Sequence, residues 1–141
     1  MPEGYFLDVD IFRLSTTGHP ATVAAVRLRI AGVSLSSITV EEMLVGRLNL
    51  INRARSGRTP IRLSEAHAGL SEMLEDITPF RIHSYCAEAE QVFGTYPPSI
   101  RRIGPQNCRL AAHAMARNFA VVTRNVRHFD AIGIPCEDWS A

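Results

Sequence analysis

Two aspartates, Asp8 and Asp10, stand directly after the apolar, aromatic segment Tyr5-Phe6-Leu7, and two glutamates, Glu41 and Glu42, stand just beyond the apolar stretch Val33 to Ile38. Asn125 follows a third such stretch, Ala120 to Thr123, and Asn107 opens the helical segment that leads into it. If these stretches are strands of one parallel sheet, the residues just past them border the crevice where open α/β sheets bind ligands. Carboxylates gathered around one crevice repel one another unless a cation sits among them. A hard, oxygen-only donor set suits Mg2+ or Mn2+. Taken singly, each residue also has a plainer role. An aspartate after a strand serves as a turn or cap residue, Glu42 can close a capping box with Thr39 as N-cap, and Glu41 can lie on a solvated helix face. Spacing alone leaves both readings open.

The hydrophobic pattern predicts the elements that must gather these side chains. Tyr5 to Leu7 reads as a short buried strand followed by a helical turn at Ile11 to Leu14. Gly18-His19-Pro20 breaks the chain, and Ala21 to Ile30 carries Val23, Val26 and Ile30 at helical spacing, closed by Gly32. Val33 to Ile38 is a second strand, and Thr39 is the expected N-cap of a helix from Val40 to Arg55. Ser56 to Pro60 is a turn. Ile61 to Ile77 is a second amphipathic helix, expected to form a hairpin with the one before it. Phe80-Arg81-Ile82 reads as a short strand, Ser84 as the cap of a helix through Phe93 that Gly94 ends, and Tyr96 to Gly104 as an exposed Pro-rich loop. Pro105 suits the first turn of a helix from Gln106 to Arg117. Ala120 to Thr123 is a strand, Val126 to Phe129 a helical turn, and Ile132-Gly133-Ile134 a last, weak strand. Strands alternating with helices predict an α/β fold with a central parallel sheet of four to five short strands, sandwiched by helices.

Length and composition are consistent with that. A chain of 141 residues fits one domain with a self-sufficient core. Its 46% hydrophobic and 21% charged residues are ordinary for a folded protein and wrong for a disordered one. No apolar stretch approaches the roughly 18 residues that cross a bilayer, and Met1 to Leu7 lacks the basic start of a signal peptide, so a cytosolic protein is expected. Cys86, Cys108 and Cys136 share no CxxC spacing, which points to buried reduced thiols rather than a disulfide framework or zinc site. His113, in a run of small residues, reads as a packing residue, and Trp139 as a seal on the core or on a dimer edge. The net charge of +1 provides no global attraction for nucleic acid. All fifteen basic residues are arginine, whose planar fork of donors suits phosphate; lysine chemistry is absent.

Four segments, taken in order, resemble the PIN-domain family in its VapC-like toxin branch. Phe6-Leu7-Asp8-Val9-Asp10 is similar to the family's opening LDTD or LDTN, with Val9 in place of threonine. Ser37-Ile38-Thr39-Val40-Glu41-Glu42-Met43-Leu44-Val45-Gly46 resembles S-x-I-T-x-x-E-L-x-x-G, which sets Glu42 on the family's acid. Gly104 to Ala112 is similar to G-x-Q-D-L-R-I-A-A, and Val122-Thr123-Arg124-Asn125, with Arg127, Phe129 and Glu137-Asp138-Trp139, resembles the closing L-V-T-R-N, F and E-D-W. The resemblance implies a PIN domain over residues 1 to 141 that acts as a Mg2+-dependent endoribonuclease toxin. Asp8, Glu42 and position 107 would hold the metal, Asn125 would complete the polar cluster, and Asp10, Glu41 and Thr123 would support it. The metal would activate water for attack on an RNA phosphodiester. Arg101, Arg102, Arg109, Arg124 and Arg127, which flank the crevice, would meet RNA phosphates; the alternative for each is a solvated surface. The implied partners are a cognate antitoxin and a second copy of the chain; the apolar faces of the Val40 to Arg55 and Ile61 to Ile77 helices would serve as their surfaces, the alternative for each residue being core packing.

The chain departs from this pattern at Asn107, where the family has aspartate. An amide keeps one acceptor oxygen and loses the charge, so metal affinity should fall. The exchange is an introduced change, a natural loss, or one that Asp10 and Glu41 offset. Two rival activities suggested by Asp8-Val9-Asp10, the aspartate-nucleophile phosphatases and the phospho-accepting receiver domains, rely on a lysine that this chain lacks. A PIN fold that binds RNA or antitoxin without cleaving is the remaining alternative, and Asn107 favours it.

Overall fold

The computed structural model describes residues 1–141. Five short parallel strands, β1 (Gly4–Leu7), β2 (Val33–Ser36), β3 (Ile82–His83), β4 (Phe119–Val122) and β5 (Cys136–Glu137), form one sheet in the order β3-β2-β1-β4-β5. The chain leaves β1 toward β2 and β3, then returns to add β4 and β5 on the other side. The switch point therefore lies between β1 and β4, where Leu7 is in register with Val122.

Alternation along the strands sends side chains to two faces, and both are covered, as a parallel sheet requires. Leu7, Val33, Leu35 and Val122 join Ile11, Phe12, Val26, Met43, Met73, Ile77 and Trp139 in one core layer. Those partners come from α1 (Val9–Thr16), α2 (Pro20–Leu28), α3 (Ser37–Arg55), α4 (Leu63–Ile77) and the C-terminal segment. Phe6 and Val121 face the other way, onto Ile38 and onto Leu110, Ala111, Ala114 and Phe129 of α7 (Pro105–Arg117) and α8 (Val126–Ile132). Two shorter helices, α5 (Ala87–Thr95) and α6 (Pro98–Arg101), complete the molecule. Each fully buried Leu, Ile or Phe contributes roughly 1.5–3 kcal/mol by leaving water. The small Ala111, Ala112 and Ala114 let α7 approach the sheet closely.

The expected sheet and the α3/α4 hairpin are present, with five local corrections, the first being that the third strand is Ile82–His83 and not Phe80 to Ile82. The α3 helix starts directly from β2, and its N-cap is Ser36, whose Oγ accepts from Ile38 N at 3.1 Å. Thr39 is thus inside the helix, buried with an unpartnered hydroxyl, and forms no capping box with Glu42. Cys86, not Ser84, precedes α5, without a side-chain cap. The Pro-rich segment holds the helical turn α6, and Arg101 is half-buried there. The last strand is Cys136–Glu137; Ile132 still belongs to α8, and Gly133 at φ 91° ends it. All three cysteines are free, Cys108 buried and the other two half-buried. Trp139 is a core residue, its ring 5.0 Å from that of Tyr5. No helix is long and apolar enough to cross a membrane.

Candidate active site

Asp8 is the last step of β1 and the first of α1. Its backbone N–H still donates to Val122 O at 2.9 Å, as a strand residue would, while its Oδ1 accepts from Val9 N at 2.9 Å as the helix cap. Its other oxygen accepts from Thr123 Oγ1, also at 2.9 Å. Thr123 occupies the matching position after β4, so the switch point of the sheet brings the two together although 115 positions separate them. The same hydroxyl accepts from Asn125 N at 3.0 Å. That bond fixes the turn that carries Asn125, exposed at the start of α8.

Glu42 reaches this corner from the early turns of α3. Burial, the neighbouring Asp8 charge and the Glu41 charge all push its carboxyl above the usual range, against a smaller opposing effect of Arg13. Asp8 is raised as well, first by burial, with Asp10 adding to it and its two hydrogen bonds working against it. Neither acid has a basic partner, since the one ion pair in the molecule joins Arg62 to Glu65 on the surface. Asp8 is only 7% exposed. A buried carboxylate without a counter-charge is costly, and a divalent cation would relieve that cost.

Position 107 is tied to the same corner through its neighbour. Gln106 Nε2 donates to Glu41 Oε1 at 2.9 Å, linking the first turn of α7 to α3, and Gln106 Oε1 accepts from Arg109 at 2.8 Å. Asn107 is half-buried beside Gly104, where an added Cβ would come within 3.2 Å of the amide nitrogen. Asp10 accepts from Ile11 N at 2.8 Å within its own helix. The candidate donors at this corner are the carboxylates of Asp8 and Glu42, the charge of the first raising the second, with Asp10 and Glu41 outlying and Asn107 one residue from the Gln106 link. No three His, Cys, Asp or Glu side chains cluster closely enough to hold a metal by themselves. Hard oxygen donors of this kind fit Mg2+ or Mn2+, with fewer anionic ligands than a full acid set would supply.

The five arginines separate into two groups. Arg101 lies over the Phe93 ring at 4.8 Å and reaches the carbonyls of Phe93 and Gly94 at 3.4 Å, so it is committed to holding α6 on α5. Arg109 covers the same ring at 5.0 Å. Arg102, Arg124 and Arg127 are exposed. Sequence reasoning missed Arg13, although its i,i+3 spacing from Asp10 puts both on one side of α1. It also missed Ser36, whose Oγ meets His113 Nδ1 at 2.7 Å in the core and so joins α3 to α7.

No protein-family model matches the chain. It is 31% identical over 113 residues to the tRNA(fMet)-specific endonuclease VapC of Salmonella typhimurium, covering 79% of each chain. It is 25% identical over 138 residues to the protein of that name from Shigella flexneri, covering 96% of this chain and 98% of that one. Among solved structures, DNA-bound VapBC from Salmonella typhimurium superposes with a TM-score of 0.74 at 24% identity, over 96% of this chain and 98% of the other. VapBC2 from Rickettsia felis, bound to a promoter DNA fragment, does so with 0.70 at 21%, over the same shares. The relative at 31% identity matches most of the chain, and the solved structures share its fold from end to end. The chain belongs to the VapC family of PIN-domain proteins.

Proposed function

We propose that the protein is the endoribonuclease toxin of a toxin-antitoxin pair, dependent on Mg2+ or Mn2+ and attenuated by Asn107. The observation that carries this reading is the buried Asp8 coupled to Glu42 with no basic residue paired to either. Asp8, Glu42 and Asn107 would hold the ion, which supplies a Lewis acid and a lowered pKa for water at the scissile phosphate. Thr123 orients Asp8 and keeps one of its oxygens occupied. Asn125, whose backbone N–H is held by the same hydroxyl, is exposed beside it and would complete the polar cluster. Arg102, Arg124 and Arg127 would meet RNA phosphates and make binding salt dependent.

Both relatives are named for cleavage of tRNA(fMet), which makes a transfer RNA the first substrate to assay. The solved neighbours are toxin-antitoxin complexes. A cognate antitoxin is proposed on that basis, and a homodimer and a cytoplasmic location are proposed from the family resemblance alone. The exposed Leu44, Val45 and Leu48 of α3 and Leu74 of α4 offer apolar surface for protein partners. The test is cleavage of a transfer RNA by the purified chain with and without Mg2+, beside Asp8→Asn and Glu42→Gln. Metal-dependent cleavage lost in both variants supports the proposal. RNA binding without cleavage at any metal concentration would favour the second reading, a binding module disabled at Asn107.

A further inference from the structure

The larger cavity of the molecule, about 210 Å3, lies at the end of the sheet remote from the acids. That is well above the roughly 10–15 Å3 of space that admits one water. Strand register determines its walls. Phe6 pairs with Ser34 and Val121, and Ser36 pairs with His83. Alternation then sends Ser34, Arg81, His83 and Phe119 to the face covered by α7. Gly4 makes room for the Phe119 ring, which a Cβ there would approach to 2.8 Å. Glu3 stands at the rim.

The cavity is rich in donors without acceptors. Ser34 is 5% exposed, and its hydroxyl has no hydrogen-bond partner, an arrangement that costs stability unless something fills it. Arg117, in the last turn of α7, donates to His83 Nδ1, which leaves the ring proton on Nε2. Burial, then Arg117 and Arg81, lower the His83 pKa, so the imidazole is neutral at pH 7. Neither guanidinium has a carboxylate in ion-pair range. Arg117 also offsets the negative end of the α7 dipole. That role accounts for neither Arg81 nor the stranded Ser34 hydroxyl.

We propose that this cavity binds a small phosphate-bearing ligand, held by the guanidinium fork of Arg81, the His83 Nε2–H and the Ser34 hydroxyl, with Arg117 fixing the His83 ring through Nδ1. Arginine forks match phosphate oxygens in pairs, and Glu3 is the one opposing charge on the wall. This site is independent of the nuclease reading.

The test is a titration of the full chain with inorganic phosphate at constant ionic strength, followed by amide chemical shifts, with chloride as control. Saturable shifts are expected at Ser34, Arg81 to His83 and Phe119. Arg81→Ala should weaken binding by about ten-fold, the loss of one charge-assisted contact. Ser34→Ala should also weaken it. Glu3→Gln should strengthen it, a direction that damaged folding cannot produce. A nucleoside 5′-monophosphate that binds more tightly than an RNA oligonucleotide supports a small ligand. Arg81-dependent preference for the oligonucleotide overturns that assignment in favour of backbone phosphate. Absence of saturation, shifts confined to the Asp8 crevice, or equal affinities across the variants overturns the site.

Discussion

The Thr123 hydroxyl donates to Asp8 Oδ2 at 2.9 Å and accepts from Asn125 N at 3.0 Å, so one oxygen joins the central acid to the turn that carries the asparagine. Thr123→Val keeps the shape and removes both bonds. A hydrogen bond to a charged group is worth about 1.5–3 kcal/mol, and the variant should lose stability in that range by denaturant titration. Because Thr123 lowers the Asp8 pKa, the acidic limb of the cleavage profile should move to higher pH. Thr123→Ser should restore both readouts; if it matches Thr123→Val, the hydroxyl is not what matters.

Glu42 should trade stability against function. Its carboxyl is raised by burial and by Asp8 and Glu41, so the folded state binds a proton more readily than the unfolded chain does. The stability linked to it is full below the ordinary carboxylate range and is lost as pH rises through the raised value. At neutral pH without metal the charge is therefore unfavourable. Glu42→Gln should raise the midpoint of thermal unfolding in a chelator. It should also abolish both the Mg2+-induced stabilisation and cleavage. A lower midpoint in the chelator would contradict the electrostatic argument.

The strand-end acids were readable in the sequence because apolar strands and the residues that follow them are local patterns. Asp8 and Glu42 needed only that logic and the family resemblance. The Thr123–Asp8 bond was not readable, since it depends on β1 and β4 becoming neighbours at the switch point. The same holds for Ser36, which lies in β2 as expected but also caps α3, so that Ser37 and Ile38, read as strand, already belong to the helix. Arg101 looked like a surface cation in a loop; only the folded α6 shows it lying on Phe93.

Asn107→Asp should strengthen the site. A third carboxylate adds charge where Asp8 and Glu42 already repel each other, so without metal the variant should be less stable. With Mg2+ the order should reverse, and metal-dependent cleavage of a transfer RNA should rise by at least about ten-fold, equivalent to roughly 1.4 kcal/mol of added metal or transition-state interaction. Identical metal-induced shifts in unfolding temperature for both forms would remove position 107 from the donor set.

The buried His113 should make the fold sensitive to acid. Burial first, then Arg117 and His83, lower the His113 pKa to about 4 from 6.5. The unfolded chain therefore takes up this proton at a higher pH than the folded one, and stability falls as pH drops from about 6.5 toward 4. His113→Gln should flatten that part of the profile relative to the wild type, although Asp8 and Glu42 act in the opposite sense at the lower end. Parallel profiles for the two proteins would show that His113 does not titrate in this range.

Finally, the arginines should separate by assay. Arg124 and Arg127 are exposed beside Asn125, and each phosphate they neutralise should contribute about 0.7 to the slope of log affinity against log salt for single-stranded RNA. Arg124→Ala and Arg127→Ala should each weaken RNA binding at low salt, reduce that slope by about this amount, and leave unfolding unchanged. Arg101 is held by the Phe93 ring and two carbonyls. Arg101→Ala should destabilise the α5/α6 region, by about 1–2 kcal/mol for the lost cation–π contact and hydrogen bonds, with the salt slope unchanged. If Arg101→Ala lowers the slope as Arg124→Ala does, its guanidinium leaves Phe93 when RNA binds.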